Sequence, residues 1–261
     1  DNRVGFFSFI GSARVGWMLR SKLANGTRCA LEHGGVAPVI VSHDTDMDDS
    51  VALLSKAGFY HAGQVCVSVQ RVYAEKSIAR ELAEKIADAG NKMTIGDPTS
   101  ADTDIGPLIR HAETDRVHEW VQDAVTRGAE LISGGEKISD SCYQSTVLLN
   151  PPEDAIISQN EVFGPVICVY EYDDIDDAID RANSLDVAFQ AAVFSKNIDT
   201  CMHAFKQLDA SAVMVNDHTA FRVDWMPFAG LKHSGHGVGG IPHTFRDMQV
   251  EKMMVIRSPA L

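Results

Sequence analysis

The chain is 261 residues long, 45% hydrophobic and 23% charged, with a formal net charge of −13 at pH 7. That length holds one sizeable α/β domain or two small ones, and the acidity argues against nucleic acid or an anionic membrane surface as partner, since both require a basic footprint. No apolar run approaches a membrane span, and the five cysteines (Cys29, Cys66, Cys142, Cys168 and Cys201) have neither disulfide nor CxxC zinc spacing, which leads us to expect a reducing, cytoplasmic setting.

Short apolar runs alternate with amphipathic stretches, the pattern of an open, mostly parallel α/β sheet flanked by helices. The chain begins without Met on the strand "VGFFSFI", whose apolar stretch is too short and too glycine-interrupted for a cleavable signal. Such a start is expected of a piece of a longer protein. Gly11 and Ser12 turn that strand into a helix over about 13–23, and "RCALE" and "PVIV" read as strands around the Gly34-Gly35 turn. A helix is expected from Asp46 to His61, with Asp46 and Asp48 at its positive end. "SVQRVYA" alternates as a strand, and residues 77–93 form an amphipathic helix for which Ser77 is the expected cap. After a turn-rich loop come a helix over 111–127, the extended segments "AELISGG" and "STVLLNPP", and "VFGPVICVYEY" as a buried strand. "DIDDAIDRANSL" and "IDTCMHAFKQLD" read as helices, with "FQAAVFS" and "SAVMVN" as strands. Residues 217–240 form a long loop rich in Gly, Pro and His, of the kind that carries function. "VEKMMVIRS" alternates as a final strand.

Four features carry possible chemistry. Glu32, in "LEHGG", stands at a strand end beside two glycines, where it can hold a carboxylate over a cleft or simply lie on the surface. Cys66, in "GQVC", is by itself more often a small buried hydrophobe than a nucleophile. "NEVFGPV" presents Glu161 and Phe163 ahead of a Gly-Pro turn, and "MPFAGLKHSGHGVGG" clusters Pro, Phe228 and glycines. His233 and His236 form an HxxH pair without carboxylate or thiol ligands nearby, so no metal site is expected.

Taken together, "GSARVG", "EHGG", "GQVC", "GDP" with "DIGPLI", "EVFGPV" and "PFAGLKHSG" resemble, in order and in the interval from Glu32 to Cys66, the NAD(P)-dependent aldehyde dehydrogenase superfamily. The resemblance covers essentially the whole chain but about the C-terminal half of a family member. It implies that Cys66 is the nucleophile, forming a thiohemiacetal and then a thioester, and that Glu32 is the general base for hydrolysis to the acid. It further implies that Ser12 meets the cofactor pyrophosphate at a helix N-terminus, and that Glu161 and Phe163 face the nicotinamide ribose. On the same resemblance Phe228 is an aromatic of the substrate or nicotinamide side. The cofactor is NAD or NADP. On this resemblance residues 1–33 are a remnant of the dinucleotide-binding domain, 34–232 the catalytic domain, 233–248 a loop and helix returning to the former, and 249–261 an oligomerisation strand of a homodimer or homotetramer. The family's oxyanion Asn belongs to the other half, so these residues alone are expected neither to bind cofactor well nor to turn over aldehyde.

The sequence departs from the family's usual residues at His33, Val36, Ala229 and "VAFQAAVF", and in a loop carrying His218, Arg222 and Trp225 together. His218 and Arg222 are candidates for the substrate pocket. Arg222 either anchors an anionic aldehyde tail (carboxylate, phosphate, phosphonate or sulfonate) or pairs with Asp217 or Asp224 to shape its loop. Other readings of the same fold are a CoA-acylating enzyme, against which Glu32 argues, a non-catalytic structural or interaction domain, and a thiol esterase.

Overall fold

The computed structural model describes residues 1–259. In chain order the strands are β1 (Phe6–Ile10), β2 (Arg28–Glu32), β3 (Val39–Val41), β4 (Arg71–Glu75), β5 (Glu130–Ser133), β6 (Thr146–Leu149), β7 (Val166–Tyr172), β8 (Val187–Ala188), β9 (Gln190–Phe194), β10 (Ala212–Val215), β11 (Leu231–Lys232) and β12 (Gly235–His236). The helices are α1 (Ala13–Arg20), α2 (Met47–Phe59), α3 (Ala79–Asn91), α4 (His111–Thr126), α5 (Ile156–Gln159), α6 (Ile175–Asn183), α7 (Ile198–Gln207) and α8 (Ile241–Asp247). A seven-stranded sheet runs β10-β9-β3-β4-β7-β6-β5 and is parallel except for β5. A second sheet, β1-β2-β12, pairs β1 and β2 in parallel and receives β12 antiparallel to β2.

The central strands are uniformly apolar because both faces of the sheet are covered. Along β7 successive side chains alternate in direction: Ile167 meets α2 at Gly58, while the Tyr170 ring meets Arg181 of α6. The two helices therefore lie on opposite faces. Asp46, Asp174 and Asn197 cap α2, α6 and α7 by accepting bonds from backbone N–H groups of the first turn.

One expectation fails, and the expected oligomerisation strand has no partner strand among the described residues. Helix α3 starts at Ala79 with Ile78 at the capping position, and the Ser77 hydroxyl turns instead to the Glu75 carboxylate at 3.5 Å. Ile78 N–H donates to Glu75 carbonyl, and this tight turn carries Ser77 past the helix end. Residues 250–258 form no strand and are exposed almost throughout, because a ladder needs a second strand and none lies beside them. Ala260 and Leu261 of the expected 249–261 segment lie outside the described residues.

A charge cluster, buried at Arg71 and open to solvent at Glu153, locks β4 to the segment before α5. The Arg71 side chain is 0% exposed and donates to Glu153 at 2.8 Å, and Arg181 donates to the same carboxylate at 2.6 Å. Both guanidinium groups lie over the stacked rings of Tyr73 and Tyr170. Removing one partner of such a pair leaves a buried charge without compensation. Glu153→Ala should therefore cost about 3 kcal/mol in chemical denaturation, and Arg71→Met in the same chain should recover a large part of that loss.

Candidate active site

The segment that delivers Cys66 is bent in an unusual way. After α2 ends at Phe59, a single 3-10 turn spans Tyr60–Gly63, and His61 (φ 51°), Ala62 (φ 56°) and Gly63 (φ 69°) are all left-handed. Such strain persists only where neighbours over-determine it. Gly63 must be glycine for a second reason: a Cβ there would stand 2.0 Å from the Gly164 carbonyl oxygen. Gln64 then staples the turn to the loop ahead of α4. Its Nε2 donates to the carbonyls of His61 and Pro107, both at 3.2 Å, and its Oε1 accepts from Ile109 N–H at 2.9 Å. Behind Cys66, Ser68 Oγ donates to Ala57 carbonyl, and Thr219 Oγ1 donates to Val67 carbonyl at 2.7 Å.

Cys66 opens onto a cavity of about 540 Å³ that is also lined by Ser12, Glu32, His33, Glu161 and Phe163. Five of the eight residues expected at the site therefore share one space. Burial pushes the Cys66 thiol up to about 11, reinforced by the Glu161 and Glu32 carboxylates and opposed by Arg222. Glu32, at the end of β2, is raised by burial and lowered by Arg222. Its Oε1 lies against Gly239, where a Cβ would approach to 2.2 Å, so the 228–240 loop closes on the acid.

Glu161 is raised to about 7 by burial, against the pull of Arg116 and of the Gly35 N–H. Its Oε1 is buried without a partner, and only the missing side chain of Gly34 leaves room for the carboxyl. Phe163 follows in the left-handed region (φ 48°) with its ring at the cavity. Across the space Ser12 caps α1 through its backbone, and its hydroxyl makes no capping bond. Next to it His33, almost wholly buried, faces the Gly11 carbonyl through Nδ1 at 2.7 Å.

The other three expected residues sit outside this lining. Phe228 is buried behind Cys66, with its ring 4.6 Å from that of Phe189 and in contact with Val67. Arg222 lies 4.1 Å above the Phe228 ring and acts electrostatically on both Glu32 and Cys66. Among the described residues it makes no ion pair with Asp217 or Asp224. His218 turns inward: its Nδ1 accepts from Ala220 N–H at 3.1 Å, and burial lowers its pKa. That bond holds the conformation of its loop.

Sequence reasoning missed Gln64, Gln70, Arg116 and Thr219. Arg116 reaches the site from α4, donating to the Val162 carbonyl at 2.7 Å. Among the described residues no cluster of three His, Cys, Asp or Glu side chains is placed to hold a metal ion, and no helix is long and apolar enough to cross a membrane.

The aldehyde dehydrogenase family model matches residues 1–254, and the chain belongs to that family. The 3-sulfolactaldehyde dehydrogenase of Priestia megaterium is 38% identical over 97% of this chain and 53% of its own length. A lactaldehyde dehydrogenase of Methanocaldococcus jannaschii is 34% identical over 98% of this chain and 54% of its own. Among solved structures, glyceraldehyde-3-phosphate dehydrogenase GapN from M. jannaschii, complexed with NADP, superposes with a TM-score of 0.91 at 34% identity, over 95% of this chain and 54% of that one. Aldehyde dehydrogenase 21 from Physcomitrella patens, in complex with the reaction product succinate, also gives 0.91, at 33% identity over 95% and 51%. The chain thus spans about half the length of the relatives it matches.

The electrostatics of Cys66 are testable directly. Alkylation by iodoacetamide, followed by peptide mass spectrometry to separate Cys66 from half-buried Cys29, should show a midpoint near pH 11 for Cys66. Removing a neighbouring negative charge favours the thiolate, so Glu161→Gln should lower that midpoint, and Arg222→Ala should raise it.

Proposed function

We propose that the full-length protein oxidises an aldehyde to a carboxylic acid with NAD or NADP, and that these residues supply its nucleophile, its base and one wall of its cofactor cleft. The observation that carries this reading is the meeting of Cys66, Glu32 and Glu161 on one cavity in a member of the aldehyde dehydrogenase family. The cavity fits a nicotinamide cofactor. Glu161 offers a buried, unpartnered carboxylate oxygen suited to ribose hydroxyls, Phe163 an aromatic face, and Ser12 a helix N-terminus with a free hydroxyl suited to phosphate.

Cys66 Sγ adds to the aldehyde carbon, giving a thiohemiacetal. When bound, the nicotinamide supplies the hydride acceptor for conversion of that adduct into a thioester. Glu32 takes a proton from water, which attacks the thioester carbon and releases the acid and the thiol. A raised Glu32 suits this task, because its carboxylate is a stronger base than an ordinary one. A raised Cys66 thiol requires that its proton leave during the approach of substrate, and Arg222 is the cation that favours the thiolate.

For the substrate we infer an aldehyde with an anionic tail. Arg222 presents beside the nucleophile a guanidinium that makes no ion pair with a carboxylate among the described residues, propped on Phe228. Relatives named for sulfolactaldehyde and glyceraldehyde 3-phosphate have such tails. The lactaldehyde dehydrogenase relatives favour a second reading, a neutral hydroxyaldehyde. Free thiols and acidity remain our grounds for a cytoplasmic setting, and the exposed apolar tail our ground for a homodimer or homotetramer.

In the full-length protein Cys66→Ala should abolish reduced-nicotinamide formation. Glu32→Gln should leave a burst of about one equivalent followed by turnover slowed about 10²–10⁴-fold; undiminished steady-state turnover in either variant would refute the assigned roles. Arg222→Ala should lower kcat/KM about tenfold or more for anionic aldehydes and little for neutral ones, whereas equal losses would favour the neutral reading.

A further inference from the structure

Gln70 follows the nucleophile segment on the approach to β4 and is 4% exposed. Its side chain is spent entirely on one stretch of backbone. Nε2 donates to the carbonyls of Ile157 at 3.1 Å and Asn160 at 2.8 Å, and Oε1 accepts from Val162 N–H at 2.8 Å. Glu161 lies between two of the bonded residues, and Phe163 follows them in a left-handed conformation. These residues precede β7 and have no ladder of their own. The Glu161 carboxyl adds no bond within the turn, since its Oε1 has no partner among the described residues and its backbone bond runs to Gly35. A strained non-glycine residue keeps its conformation only where its surroundings over-determine it, and Gln70 supplies three of the bonds that do so. Its own carbonyl, meanwhile, accepts from Cys168 N–H at 2.8 Å, which ties residue 70 into the main sheet.

We infer that Gln70 is a positioning residue, whose side chain registers the Glu161 carboxyl and the Phe163 ring against Cys66. The inference rests on the reading that Glu161 and Phe163 face the cofactor. Only a carboxamide satisfies the turn, because it both donates twice and accepts. A methionine leaves two carbonyls and one N–H buried without partners. An ionised glutamate keeps the bond from Val162 but sets its charge against the Asn160 carbonyl, and protonation restores one donor.

The test uses Gln70→Met and Gln70→Glu in the full-length protein, with Glu161→Gln as reference. NAD and NADP affinities are read by tryptophan fluorescence, and amide exchange is followed over residues 157–164. Gln70→Met should raise the cofactor Kd and KM about tenfold and speed exchange at Val162 and Phe163, with β3 and β9 unchanged. In Gln70→Glu, the ratio of Kd to that of wild type at the same pH should fall as pH falls. Arg116 and Arg71 stay charged in both proteins, but the new carboxylate at residue 70 also disfavours the Glu161 carboxylate, so the same ratio is measured in a Glu161→Gln background, where the fall with pH should persist. If Gln70→Met does not fold, the near-isosteric Gln70→Glu carries the test. A weakened Glu161→Gln beside wild-type affinity in both Gln70 variants would overturn this proposal alone. Wild-type affinity in Glu161→Gln would overturn the cofactor reading and the proposal with it.

Discussion

The site depends on the contact between two turns, one ending at Gly63 and the other passing through Gly164. Neither tolerates a side chain: a Cβ on Gly63 would meet the Gly164 carbonyl, and one on Gly164 would meet Val117 at 2.7 Å. Backbone packed this closely has lost its water, so its polar groups must be met from within the protein. Gln64 meets those on one side of Cys66 and Gln70 those on the other. The nucleophile is thus held by side chains that bond backbone, and its own segment is too strained to be a regular element.

The same economy of space explains the charge balance. Two carboxylates and a thiol share one partly buried cavity, and each is pushed toward its neutral form by desolvation. Arg222 and Arg116 counter this, Arg222 on Glu32 and Cys66 and Arg116 on Glu161. Neither cation lies deep in the core, so both act from positions where screening by solvent limits their pull. The result is a Glu161 carboxyl near neutrality, a Glu32 of raised basicity and a Cys66 that stays a thiol until substrate approaches.

Much of the fold was legible because the central strands are uniformly apolar and the helices amphipathic, so "VIV", "VICVYEY" and "QAAVF" announce themselves. Glu32, Cys66, Glu161, Phe163 and Ser12 were legible through short motifs that a turn of fixed shape demands. Gln64, Gln70, Arg116 and Thr219 were not, since each bonds backbone that is distant in sequence, and such pairings leave no local period. The bond that His218 accepts from the Ala220 N–H was not legible either, because it is a matter of loop conformation, which composition does not reveal. Ser77 failed as a cap for a similar reason: the tight turn at Glu75 decides where the helix starts. The tail pattern at 250–258 describes a strand that requires a partner, and periodicity is silent on whether the partner is in the same chain.

The strand bearing Glu32 is bracketed by pieces from both ends of the chain. β1 lies on one side, and on the other β12 pairs Gly235 with Glu32 while His33 N–H donates to the Ser234 carbonyl at 2.8 Å. Closing so long a loop must wait until the large sheet has brought its ends together. During synthesis from the N-terminus, Glu32 acquires its second neighbour only once residues 234–236 have emerged, and the Cys66 turn likewise waits for Gly164 and Thr219. The thiol and the base beside it are therefore both secured late, and a chain cut short ahead of Ser234 would leave that strand with a bare edge.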